Sequence, residues 1–169
     1  ARSFGAKSGD GGCWLSVVQH LLDAANIAGF LFDDYLSEHN RRLMASDWGG
    51  NQAKARATFV FLAGVHDAGK VDIRFACQRQ DLAELIRHQG LGVLRKRDYP
   101  ERFLLPHGLV SQFALQEEIA AAGGDGSRAL QWAILVGVHH GRYPDAGAVY
   151  VARPPYRTQE GSREDDPRW

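Results

Sequence analysis

Two cysteines in 169 residues, Cys13 and Cys77, are too few and too far apart for a disulfide framework or a C-x-x-C zinc site. They read as free, buried thiols in a reducing compartment. Charge of either sign is also lacking in excess. Twenty basic residues balance twenty acidic ones, so no global basic field advertises nucleic acid. Contact with a polyanion then has to be local or carried by metal. No apolar run approaches the roughly 18 residues of a membrane span, and no charged-then-apolar leader is present. A cytoplasmic protein with no membrane partner is expected. Internal repeats are absent, and so is a GxxxxGK[ST] phosphate loop. The chain starts at Ala1 rather than Met, which reads as processing or trimming.

What is present is an ordinary globular composition, 44% hydrophobic and 24% charged, at a length that suits one domain with a real core. Residues 14 to 36, "WLSVVQHLLDAANIAGFLFDDYL", predict a long helix. Trp14, Val17, Val18, Leu21, Ala25, Ala28 and Phe32 share its apolar face, and His20 sits at the edge of that face. A polar connection, "SEHNRRLMASDWGGNQ", leads to a buried helix over 52 to 66, with Gly69 as its stop. Short helices follow near 72–79 and 80–89, then a Gly- and Pro-punctuated loop to residue 106. Helices return over 107–122 and from an N-cap at Ser127 to His139-His140, with Gly141 behind. "GAVYVA" is the one strand-like run, and a single strand has nowhere to pair. The fold class is all-α.

Seven histidines lie along this chain, and four helix segments carry one or two at an end or inner face. They are His20, His66, His107 and the pair His139-His140, and Asp67 follows His66 directly. Helix ends and inner faces of a bundle converge, which is how such folds build metal sites. Imidazole with carboxylate suits Fe, Mn, Co, Ni or Zn, and one carboxylate can bridge two ions for phosphoester hydrolysis. His39 and His88 sit in polar surroundings and are assigned no role. Taken singly, His20 also fits a hydrogen-bonded core residue, and His107 a plain helix start. His139-His140 is harder to dismiss, because adjacent protonated imidazoles at a buried helix end repel and metal removes that conflict.

The order H, HDxGK, H, HH resembles the HD metal-dependent phosphohydrolase superfamily. Within it, "AKSGDGGCWLSVVQHLLDAANIAG", "LAGVHDAGKVDIRFACQ", "LPHGLVS" and "AILVGVHHGRYP" look most like the HD nuclease domain of the CRISPR-associated type I nuclease-helicase. The resemblance implies an HD-domain helical bundle with a metal site at converging helix ends. It implies that His20, His66 and Asp67 hold one divalent transition metal. Asp67, His107, His139 and His140 would hold a second, with Asp67 bridging and catalytic. Lys70 would be catalytic too, facing a substrate phosphate oxygen; a solvated lysine at a helix end is the alternative. Cleavage of single-stranded DNA in CRISPR type I interference follows, with the metal supplying activated water, so no protein nucleophile is needed. The implied partners are single-stranded DNA, a helicase domain in the same chain and the RNA-guided surveillance complex.

The boundaries expected are an HD nuclease domain over 1–150 and a polar tail over 151–169. The family supplies one more aspartate to the first metal from a later helix. Asp165 and Asp166, in the charged run "SREDDPRW", are not expected to replace it, so the tail reads as a truncation point before that helix and the helicase. Arg95, Lys96, Arg97 and Arg102 around Tyr99 offer local phosphate contacts and one stacking ring, or simply a solvated loop. Two other functions stay open. One is an HD phosphohydrolase acting on a nucleotide or cyclic nucleotide; the other is a non-catalytic helical docking module.

Overall fold

The structure, a computed structural model, describes residues 4–8, 13–92 and 106–143. Among the described residues, seven helices in chain order make the body: α1 (Val17–Phe30), α2 (Glu38–Ser46), α3 (Gln52–Val65), α4 (Ile73–Ala76), α5 (Gln80–His88), α6 (His107–Ala121) and α7 (Gly126–Gly137). The all-α class holds. Two short strands, β1 (Gly5–Ser8) and β2 (Trp14–Ser16), pair antiparallel ahead of α1 and correct the expectation that no strand finds a partner. "GAVYVA", the basic stretch 94–102 and the polar tail lie outside the described residues.

The first expected helix divides into three parts. Trp14 to Ser16 pair as strand, and Ser16 then caps α1, its hydroxyl accepting the amide of Gln19 at 3.2 Å. After Phe30 the chain widens into a π-helical turn over Leu31–Tyr35, closed by the amide of Leu36 donating to Leu31 O at 2.9 Å. That turn drives Phe32 into a cluster with Ala45 and Ala55 and leaves Asp33 outside, paired with Arg56. Trp14, Val17, Ala28 and Phe32 turn inward to differing degrees, but Val18 is 42% exposed, so the predicted apolar face is narrower than its sequence.

The segment read as a polar connection contains α2. Ser37 caps it by accepting the amide of Asn40, and Ala45 and Met44 fasten it to α3 through Trp48 and Phe59. Asp125, not Ser127, caps α7: its carboxylate accepts the Arg128 amide at 2.8 Å, and the Ser127 hydroxyl donates to the same oxygen. An aspartate two residues upstream outcompetes the serine because it also brings negative charge to the helix N-terminus.

Phe4, Val17, Ile73, Ala76, Cys77, Ala83 and Ile86 form a second core, which binds β1 to α1, α4 and α5. Full burial of a side chain such as Ile86 stabilises by about 1.5–3 kcal/mol, and Ile86 has no exposure at all. Cys77 is buried as expected; Cys13 is exposed, against expectation, because it precedes β2 at the hairpin's edge. The most extensive helix contacts are α6 with α7 and α1 with α3, and the HDAGK turn packs on α6. The ends of these two pairs meet at one place.

Candidate metal centre

Four segments deliver side chains to that place. His20 comes from the second turn of α1, His66 and Asp67 from the end of α3, His107 from the first residue of α6, and His139 and His140 from just beyond α7. Gly69 makes the approach possible. It lies in a 3-10 turn over Ala68–Val71, and its amide donates to the Ser111 hydroxyl at 2.7 Å. A Cβ there would meet the carbonyl of His107 and come within 2.7 Å of the Ser111 amide. Gly69 is therefore required by close contact, not by a left-handed helix stop; it does not have positive φ. Gly108 serves the other side, where a Cβ would come within 2.7 Å of the Gly137 carbonyl, so α6 and α7 cross closely enough to set His107 beside His139.

Gly69→Ala is expected to destabilise the chain by about 1–3 kcal/mol through overpacking. Weaker metal binding should accompany that loss, because His107 is pushed away from Asp67. Urea unfolding and metal titration of the variant check this. An unchanged midpoint would mean that the turn and α6 can part without cost.

The six side chains fall into two groups around one carboxylate. In each, the ligand atoms lie within 4.8 Å of one another: His20, His66 and Asp67 in the first, Asp67, His107, His139 and His140 in the second. Asp67 divides its oxygens between them. Oδ2 lies 2.8 Å from His20 Nε2 and 3.2 Å from His66 Nε2. Oδ1 lies 3.0 Å from His107 Nε2 and 3.3 Å from His139 Nε2. His140 joins the second group through His107, Nε2 to Nε2 at 2.9 Å.

The imidazole tautomers can be read from the backbone. His66 Nδ1 sits 2.8 Å from Ala63 O and His139 Nδ1 sits 2.7 Å from Val136 O. A carbonyl only accepts, so both Nδ1 atoms carry the proton and both Nε2 atoms present lone pairs to Asp67. This is the arrangement of metal-ligating histidines whose second nitrogen is held by a carbonyl. Asp67 is only 3% exposed. Burial works to raise its pKa, but His107 and Lys70 hold the carboxyl far below the ordinary range. It is a carboxylate at neutral pH. Burial lowers the pKa of His139, against the Val136 hydrogen bond and Asp67; burial and the neighbouring His139 and His107 lower that of His140. Both are neutral at pH 7.

A neutral imidazole lone pair facing a carboxylate oxygen is a meeting of two acceptors. Asp67 Oδ1 and His139 Nε2 are both buried, and neither has a hydrogen-bond partner of acceptable geometry. A divalent cation held by these residues would satisfy both atoms at once. The donor set, five imidazoles and one carboxylate, suits a transition metal rather than magnesium or calcium. The residues fit the group.

Lys70 points inward. It is only 7% exposed, which rules out the solvated lysine, and its ammonium donates to Asp67 Oδ2 at 2.7 Å and to Ala6 O at 3.2 Å. His39 and His88 are exposed and away from the centre. Sequence reasoning missed Ser111, which accepts from Gly69 and donates to His107 O at 3.0 Å, fixing the turn to α6. Its spacing of four from His107 was the available signal. A cleft of about 570 Å³ was also missed; it runs between α2, α3 and α7 from Trp48 and Trp132 to His66 and His139.

A small helical bundle that gathers imidazoles from converging helix ends around an HD dipeptide is the architecture of an HD domain. The sequence model of the family described as Cas3, HD domain, matches residues 5–169. The chain belongs to that family. It is 30% identical over 151 residues to the CRISPR-associated nuclease/helicase Cas3 of Streptococcus thermophilus, covering 78% of this chain and 15% of that protein. A solved structure described as a CRISPR-associated protein superposes with a TM-score of 0.74 at 29% identity, covering 88% of this chain and 16% of that one. T. fusca Cas3 with AMPPNP gives a TM-score of 0.63 at 24% identity, over 89% of this chain and 17% of the other, a likeness of fold. The chain thus spans under a fifth of the length of these relatives. Among the described residues no helix is long and apolar enough to cross a membrane.

Proposed function

We propose that this chain is a metal-dependent phosphodiesterase that cleaves single-stranded DNA in CRISPR type I interference. One observation carries the reading: Asp67 turns one oxygen toward His20 and His66 and the other toward His107 and His139, which suits a carboxylate shared by two ions. His20, His66 and Asp67 would hold the first ion, and Asp67, His107, His139 and His140 the second. When bound, the ions would activate water and offset charge developing on the phosphate.

The chain's own residues hold that chemistry in place. The carbonyls of Ala63 and Val136 fix the protons of His66 and His139 on Nδ1, and the Gly69–Ser111 contact fixes α6 against the HD turn. Native Fe, Mn, Co or Ni fits this donor set, with Zn also accommodated. A helicase domain and an RNA-guided surveillance complex are the partners that the family relation suggests, and the cytoplasm is the compartment. Residues 1–150 would form the nuclease domain and 151–169 a polar extension.

The test is a cleavage assay with Mn²⁺ or Co²⁺ on linear and circular single-stranded DNA. Cleavage that chelator abolishes is expected, with His88→Ala as active as the parent. A metal-loaded chain that leaves both DNA forms intact would defeat the reading. The cleft beside His66 and His139 favours one second reading, a nucleotide phosphohydrolase, since about 300–1,000 Å³ is the usual size of a small-molecule pocket. Faster turnover of a free or cyclic nucleotide than of DNA in the same assay would select it.

A further inference from the structure

Lys70 directs its contacts into the protein. Its stem is enclosed, its ammonium lies 5.9 Å from the Phe75 ring centroid, and its two hydrogen bonds run inward to Asp67 Oδ2 and Ala6 O. Asp67 is the sole carboxylate in either ligand group among the described residues. One carboxylate and one ammonium cancel, so the centre is near neutral before any cation enters. The cancellation is also lopsided. The ammonium sits on Oδ2, the oxygen that faces His20 and His66, whereas Oδ1 on the far side faces His107 and His139.

Two physical consequences follow. A buried carboxylate stripped of its charge partner is costly, so the ammonium supports the metal-free fold. A divalent ion held by His20, His66 and Oδ2 shares that oxygen with a fixed positive charge a few ångströms away. In a poorly screened site, that repulsion is strong.

We propose that Lys70 is a built-in counter-cation: it stands in for metal at Asp67 in the metal-free chain and holds down the affinity of the first site. It is a positioning residue that acts through Asp67 rather than a catalytic residue touching phosphate. Ala6, at the bulge between the paired Gly5 and Lys7 of β1, offers the carbonyl that keeps the ammonium on the Oδ2 side. This inference rests on the metal-centre reading above, but it is tested without DNA.

The experiment compares the parent with Lys70→Met by Co²⁺ titration against a competing chelator and by thermal unfolding with and without Co²⁺. The metal-free variant should melt at lower temperature than the metal-free parent. Its weaker metal should bind at least about tenfold tighter, because a repelling charge has gone. Its gain in melting temperature on adding Co²⁺ should therefore exceed the parent's. Lys70→Gln, which keeps a hydrogen-bond donor but no charge, repeats the titration if the Met variant does not fold. Metal affinity that is unchanged or weaker in these variants overturns the inference, and a loss confined to DNA affinity would return Lys70 to the role of phosphate contact. A parent that binds no Co²⁺ would overturn the metal-centre reading itself, and this inference with it.

Discussion

Asp67→Asn is expected to lose both metals and to lower DNA cleavage by at least about 100-fold, beyond the 10–100-fold typical when only outer support of a ligand is removed. Both ligand groups share this one carboxylate, so a single change removes negative charge from two places. The amide can still accept from Lys70, which keeps the variant nearly isosteric. Asp67→Ala is the harsher test. It leaves the Lys70 ammonium buried with Ala6 O as its remaining acceptor, and breaking such a pair costs about 3–5 kcal/mol. Asp67→Ala should thus lose stability as well as metal, whereas Asp67→Asn should lose metal with a smaller change in unfolding. Chelator competition, circular dichroism melts and the cleavage assay separate these effects. Equal activity of Asp67→Asn and parent would sink the two-ion mechanism.

The helices that carry this centre were legible because their apolar periodicity is strong and their ends bear recognisable punctuation. α3, α6 and α7 begin and end within a few residues of expectation. α2 was missed because its burial rests on few side chains, chiefly Ala45 and Met44, and its other positions are polar. Its cap, Ser37, was visible in the sequence, but a cap without an apolar stripe is a weak signal. The β1–β2 pair was missed for another reason. Strands of four and three residues carry too little alternation to detect, and their stability comes from Phe4 in the core and from Val17 N donating to Phe4 O at 2.8 Å.

Spacing made the centre legible as a set of residues, and the family resemblance alone suggested the two ligand groups that share Asp67. The HDxGK string says that a glycine and a lysine matter without saying why. Gly69 looked like a helix stop, and its actual constraint is the backbone of α6, forty residues on, which no local pattern encodes. Lys70 looked outward for the same reason: the carbonyl that receives it belongs to Ala6, sixty-four residues earlier. The splitting of Asp67 between two imidazole groups is likewise a tertiary fact. Spacing could gather the residues; only the fold could assign each to an oxygen.

The two metals are expected to bind unequally, the second tightly and the first at least about tenfold more weakly, in line with the 10–100-fold cost of impaired ligand support. The second group offers Asp67 Oδ1 and three imidazoles, enough to fill a four-coordinate shell. The first offers two imidazoles and Oδ2 among the described residues, leaving a position to water. His20 also starts at a disadvantage. Its Nε2 is 2.8 Å from Oδ2, a hydrogen bond in which the imidazole must be the donor, so an incoming ion has to displace that proton. The second site has one comparable cost, the proton shared between His107 and His140. Lys70 on Oδ2 adds charge repulsion at the first site alone. Mn²⁺ titration against a chelator should therefore show one tight and one loose ion. DNA cleavage should rise with metal concentration beyond the first equivalent. His20→Ala should abolish the loose step and spare the tight one, while His140→Ala should weaken the tight step. Two equally tight ions in the parent would mean that a group outside the described residues, Asp165 or Asp166 among them, completes the first shell.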